Sequence, residues 1–227
     1  MSISIRGLRK SFAGRQVLAG VDLTVAAGEF VAVLGANGSG KSTVLRCAVG
    51  LQPADAGSVD VHGGAAMVFQ KIHLVNRRTA IDNVCAGALG RLPFHRSLVF
   101  GNDVRTEAMA CLDRVGLADR AGDRAGRLSG GQQQRVAIAR ALCQRAKVIL
   151  ADEPVSALDP SAADQVVSLL ALLAAEGLAV LAVLHQPELA RRYAHRIVGL
   201  DQGQVVFDRS PADLPQREID SLYRDKP

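Results

Sequence analysis

Residues Gly35-Ala36-Asn37-Gly38-Ser39-Gly40-Lys41-Ser42 spell GxxxxGK[ST] in full. The glycines let the backbone fold tightly, so that successive N–H groups point inward at phosphate oxygens. A helix beginning directly after such a turn adds its N-terminal partial positive charge. Lys41 would reach the outer phosphates of a nucleoside triphosphate, and the Ser42 hydroxyl would ligate Mg²⁺. A second candidate site is acidic: Val148-Ile149-Leu150-Ala151-Asp152-Glu153 is an apolar run ending in two carboxylates. Asp152 is placed to hold Mg²⁺, directly or through water, and Glu153 to polarise a water beside the terminal phosphate. That pairing favours hydrolysis by water over transfer to a second substrate. A third stretch, Leu128-Ser129-Gly130-Gly131-Gln132-Gln133-Gln134-Arg135, is another anion receptor, a Ser and two glycines exposing N–H groups at the start of a helix. Two cradles cannot grip one phosphate from the same side. The second is therefore expected to close on nucleotide held by another copy of the chain.

These residues need elements to position them. Phe30-Val31-Ala32-Val33-Leu34 is a continuous apolar run with β-branched members, as a strand buried on both faces requires, and a helical pattern follows from Ser42 to Val49. Strand, glycine-rich loop and helix open a nucleotide-binding fold. Ser2–Arg6 and Val21–Val25 alternate in strand fashion, with turns at Gly14 and Gly28; Gly57–Val61 and Ala66–Phe69 read as two more strands. From Ile72 to about Leu128 the character becomes helical, with Ala108, Cys111, Leu112 and Val115 on one face. A helix (Gln132–Gln144), a buried strand (Val148–Leu150), a long helix (Ala162–Ala175) and a further strand (Leu178–Leu184) complete the pattern. The fold class is α/β with a parallel central sheet, an antiparallel β edge and a helical insert. One domain is expected over residues 1–227, its core in 1–71 and 129–227 and its helical subdomain in about 72–128.

Composition narrows the function classes. With 48% apolar and 22% charged residues the chain has the balance of a globular protein able to bury its own core. The apolar stretch from Val166 to Leu184 is broken by Ser168, Glu176 and Gly177, so no membrane span is expected, and the N-terminus has no apolar core of signal-peptide length. The four cysteines stand singly with no CxxC, which argues for a reducing compartment and against a structural zinc. The net charge of +5 is spread in short pairs such as Arg77-Arg78, and there is no Trp to stack on bases. A nucleic-acid partner is not expected.

Leu128-Ser129-Gly130-Gly131-Gln132, with the preceding motifs, resembles the ATP-binding cassette (ABC) ATPase family over essentially the whole chain. The resemblance implies further roles. Gln70 matches a glutamine that contacts Mg²⁺ and the attacking water. Ser156-Ala157-Leu158-Asp159 matches a loop crossing the dimer interface, His185 the switch histidine on the γ-phosphate, and Phe12 the aromatic that stacks on adenine. Val17, Thr43, Gly130, Gln132 and Asp159 are implied as further nucleotide contacts. Two copies would sandwich two ATP molecules head to tail, each site joining one copy's Lys41 to the other's Ser129 and Gly131.

The family drives several outputs. A chromosome-maintenance cassette needs a long coiled coil, and a ribosome-acting one usually has two cassettes in one chain. A transporter subunit on membrane permease subunits, peripheral at the cytoplasmic face and served by a solute-binding protein, fits better. The run Gln70-Lys71-Ile72-His73-Leu74-Val75-Asn76-Arg77, with Ile81-Asp82-Asn83-Val84, Gly87-Ala88-Leu89-Gly90-Arg91-Leu92-Pro93-Phe94 and Arg96-Ser97-Leu98, is similar to phosphonate-importer ATP-binding subunits. So is Ala146–Pro154. Phosphonate or another small oxyanion is the implied solute; a different solute, or export, remains the alternative. One departure is a short link between Val61 and Phe69, where many relatives carry a longer excursion, and Gly63-Gly64 is expected to make a tight hairpin turn there.

Overall fold

The structure, a computed structural model, describes residues 1–92 and 100–223. Pro93, Phe94, Arg96, Ser97 and Leu98, which carry part of the phosphonate-type resemblance, lie outside the described residues. Two sheets form the frame. The smaller is antiparallel, in the order β2-β1-β4, from β1 (Ile3–Phe12), β2 (Arg15–Val25) and β4 (Ala56–Val61). Ala13 and Gly14, both at positive φ, make the two-residue turn between β1 and β2, the twist that suits a hairpin. Val21, Leu23 and Val25 are buried and Asp22 is exposed, as the alternating pattern requires.

The larger sheet runs β5-β6-β7-β3-β8-β9. β5 (Ala65–Val68), β6 (Val148–Asp152), β7 (Ala179–Val183), β3 (Phe30–Leu34) and β8 (Arg196–Asp201) pair in parallel, and β9 (Gln204–Arg209) closes the edge antiparallel to β8. Every residue of β3 is buried. Its Phe30, Ala32 and Leu34 face one core together with the helices, while Val31 and Val33 face a second core shared with β1, β2 and α1 (Lys41–Ala48). That is why this strand reads as unbroken apolar sequence rather than as an alternation.

Between β5 and β6 the described residues hold helices and no strand: α2 (Ala80–Cys85), a 3₁₀ helix over Ala86–Arg91, α3 (Asn102–Arg114), and α4 (Gly130–Leu142) leading into β6. α5 (Pro160–Ala175) and α6 (Pro187–Tyr193) lie on the chain between β6 and β8, and α7 (Gln216–Tyr223) follows β9. No helix among the described residues is long and apolar enough to cross a membrane.

The link between β4 and β5 differs from expectation. β4 pairs with β1, and β5 pairs with β6, so Gly63-Gly64 does not close a hairpin; it carries the chain from one sheet to the other. The carbonyls of Gly63 and Gly64 accept from the N–H groups of Lys147 and Val148 at 3.0 and 3.2 Å, extending the β5–β6 ladder. The burial patterns give the reason. β4 has no fully buried residue and suits a sheet edge, whereas β5 buries Ala66, Met67 and Val68 and must sit inside a two-faced sheet.

Candidate active site

β6, β7 and β3 are neighbours in the parallel sheet, and their carboxyl ends carry three of the expected groups. The phosphate loop follows β3, Asp152 ends β6 with Glu153 next, and His185 lies two residues beyond β7. Parallel topology thus gathers residues more than 140 positions apart in sequence at one edge, where ligands of open α/β sheets bind. A cavity of about 690 Å³ opens there, lined by Arg15, Gln16, Val17, the loop from Ala36 to Thr43, Glu153, Asp201 and Gln202.

The loop is built for an anion. Lys41 is buried, and its Nζ donates to the carbonyls of Gly35 and Ala36 at 2.8 Å each. Burial lowers its pKa, while the nearby carboxylates of Glu153 and Asp152 pull it back up. Ser39 Oγ is buried with no hydrogen-bond partner among the described residues; a phosphate oxygen would satisfy it. Gly35 does not line the cavity and instead backs onto the Leu200 carbonyl.

Ser42 Oγ donates to Asp152 Oδ1 at 2.7 Å across 110 positions of sequence. Burial raises the Asp152 pKa, and the Ser42 hydrogen bond opposes that rise. Two hard oxygens held together beside a phosphate loop fit Mg²⁺, which takes one or two protein oxygens and fills its shell with phosphate and water. No group of three His, Cys, Asp or Glu able to hold a metal occurs among the described residues.

Glu153 Oε1 lies 2.7 Å from His185 Nε2. Glu153 adopts φ +49, a left-handed conformation that costs a non-glycine residue about 1–3 kcal/mol and persists where a site needs the side chain. Gln70 Nε2 donates to Ser156 Oγ at 3.2 Å, and that hydroxyl donates to the Glu153 carbonyl at 3.3 Å. His185 and Gln70 therefore stand outside the cavity lining but are tied to it through Glu153.

The structure does not bring Ser129, Gly130, Gly131 or Gln132 into this cavity. Ser129 caps α4: its Oγ accepts from Gln132 N–H at 3.3 Å, while Gln132 Oε1 accepts from Ser129 N–H at 2.9 Å. This reciprocal box fixes the helix start and leaves Ser129 and Gly130 exposed. A Cβ on Gly131 would come 2.9 Å from Ala162 Cβ, so only glycine lets α4 approach α5 this closely. Asp159 caps α5 by accepting from Ala162 N–H at 3.0 Å and is likewise outside the cavity. Further along α4, Arg140 donates to the carbonyls of Ile72 and His73 at 3.2 and 2.8 Å, joining this helix to the segment after Gln70.

Phe12 also lies outside the lining, 43% exposed at the end of β1, with Lys10 Nζ 5.4 Å from its ring. Arg15, Gln16, Asp201 and Gln202 line the cavity without having been singled out in the sequence. Apolar runs on either side of Gln202-Gly203 mark a two-residue hairpin, the one signal that pointed toward the last two.

Residues 18–156 match the family model described as ABC transporter. The chain belongs to the ABC transporter family. It is an ATP-binding cassette and an ATPase. Among curated relatives, the hypophosphite import ATP-binding protein HtxD of Stutzerimonas stutzeri is 42% identical, covering 99% of this chain and 71% of that protein. The phosphonates import ATP-binding protein PhnC of Frankia casuarinae is 46% identical, covering 100% and 97%. A solved dimeric ATP-binding cassette in a post-hydrolysis state, bound to ADP and Pi, is 31% identical with a TM-score of 0.79, covering 92% of this chain and 98% of that one. A metal-chelate type ABC transporter in an inward-facing conformation is 29% identical with a TM-score of 0.87, covering 98% and 88%.

Proposed function

We propose that this cassette is the ATP-hydrolysing subunit of an importer for phosphonate or a related small phosphorus oxyanion. One observation carries the solute class: relatives named for phosphonate and hypophosphite import match this chain over nearly its full length at 42–46% identity. The geometry of the cavity supports the nucleotide chemistry proposed for it. ATP enters the cavity with its phosphates on the loop of residues 36–43, where Lys41 and the backbone N–H groups neutralise them. Ser42 and Asp152 would hold Mg²⁺, which offsets charge on the outer phosphates; Gln70 is a further candidate ligand once released from Ser156. Glu153 takes a proton from the attacking water, and His185, 2.7 Å away, orients that carboxylate and reaches toward the terminal phosphate.

The exposed Ser129 and Gly130, displaced from the cavity of their own chain, support a head-to-tail pair in which each signature segment closes on the partner's nucleotide. The core of residues 1–71 and 129–227 carries the chemistry and the insert of about 72–128 meets permease subunits at the cytoplasmic face of the membrane, fed by a solute-binding protein. The Arg140 contacts to Ile72 and His73 give a physical link between the two parts.

The test is ATPase activity of the complex reconstituted with its permease and binding protein. Stimulation by a phosphonate, phosphite or hypophosphite is expected. Stimulation by an unrelated solute alone would keep the transporter and discard the solute class.

A further inference from the structure

The cavity continues past the phosphate loop to a rim that phosphate chemistry does not use. Two hairpin tips build it: Arg15 and Gln16 after the β1–β2 turn, and Asp201 and Gln202 at the β8–β9 turn. The second tip is fixed in place. Gly203 N–H donates to the Ser39 carbonyl at 3.0 Å, and Ala19 N–H donates to the Gly203 carbonyl at 2.9 Å. A Cβ on Gly203, whose φ is +76, would come 2.3 Å from the Val17 carbonyl oxygen. Asp201 pairs with Gln204, which leaves Gln202 and Gly203 as a two-residue loop at φ +48 and +76. Asn, Asp or Gly normally takes the first position of such a turn. Gln has neither the short side chain that bonds locally nor the freedom of glycine, so the turn itself does not account for Gln202. Side chains held in the left-handed region tend to mark sites that use them.

We infer that the Asp201–Gln202 turn is the sugar-recognition element of the nucleotide site. Because the turn is bonded to Ser39 in the phosphate loop and rests on Val17, it lies beside the atoms that follow the phosphates in the ligand, which are those of the ribose. A carboxylate only accepts hydrogen bonds and would repel a phosphate, yet it suits a ribose hydroxyl; an amide both donates and accepts. Carboxylate on ribose hydroxyl is the arrangement dinucleotide sites use. The turn therefore favours a ribose hydroxyl over a phosphate beside Asp201. This rests on the nucleotide reading of the cavity, and tripolyphosphate, which has no sugar, reports that reading separately.

The experiment is equilibrium binding of ATP, 2′-deoxy-ATP, 3′-deoxy-ATP and tripolyphosphate to the full chain and to its Asp201→Ala and Gln202→Gly variants. The wild-type chain is expected to bind ATP about 3- to 10-fold more tightly than at least one deoxynucleotide, the span of one hydrogen bond. At least one variant is expected to bring that ratio to about one, with tripolyphosphate affinity unchanged in Gln202→Gly and no lower in Asp201→Ala, which removes a charge that repels phosphate. Glycine suits the backbone at position 202, so Gln202→Gly should melt no lower than wild type. Equal wild-type affinity for the three nucleotides, or variants that keep the wild-type ratio, would overturn the assignment. Absence of tripolyphosphate binding to the wild-type chain would overturn the cavity reading along with it.

Discussion

Glu153 and His185, brought from the ends of neighbouring strands β6 and β7, meet at 2.7 Å between Oε1 and Nε2. The carboxylate that would activate water is thus held by the imidazole, on a backbone already at φ +49. Glu153→Gln keeps the size of the side chain and removes the base. ATP binding should persist while phosphate release falls about 10²- to 10⁴-fold. Turnover above half of wild type would remove Glu153 from that role.

Asp152 offers a test of opposite character, because its buried carboxyl has a raised pKa. Across the window above its ordinary value of 3.8, the folded chain binds this proton more readily than the unfolded chain does, so the group lowers stability as pH rises through that window. Asp152→Asn should therefore unfold at a higher temperature than wild type near neutral pH, with the difference shrinking toward pH 4, when both are melted without nucleotide or magnesium. Magnesium-dependent ATPase activity should be lost in the same variant. A lower melting temperature at pH 7 would count against burial as the dominant effect.

The approach of α4 to α5 at Gly131 predicts a coupled pair. Gly131→Ala should cost about 1–3 kcal/mol through overpacking against Ala162. Ala162→Gly should cost less in that background than in wild type, because it removes the methyl the new Cβ meets. Denaturant unfolding of both single variants and the double variant gives the interaction energy. Strict additivity would show that the contact is not what fixes this glycine.

Arg140 ties α4 to the segment after Gln70 by two carbonyl contacts, and burial lowers its pKa. Arg140→Ala should cost about 1.5–3 kcal/mol, the range for hydrogen bonds to a charged group. Amide exchange should rise at residues 70–75 before it rises in β3. Unchanged exchange there would mean that the segment is held by other contacts.

Much of the site was written in local sequence. Gly35–Ser42, the strand ending in Asp152-Glu153 and the Ser129–Gln132 helix start are each contiguous, because a cradle of backbone N–H groups or a strand-end carboxylate needs only its own neighbours to form. The buried strands were legible for the same reason: burial on both faces demands an unbroken apolar run, as in β3 and β7. Pairing was not local. Gly63-Gly64 looks like a hairpin turn in sequence and joins two different sheets in space, since the partner of each strand is set by the burial of its faces and not by its neighbour along the chain. Tertiary structure alone decided that Ser42 meets Asp152, that Gln70 reaches Glu153 through Ser156, and that Asp201 and Gln202 share a cavity with the phosphate loop. Contacts spanning 86 or 110 positions leave no periodicity or spacing to read; they exist only once the parallel sheet has aligned its strand ends.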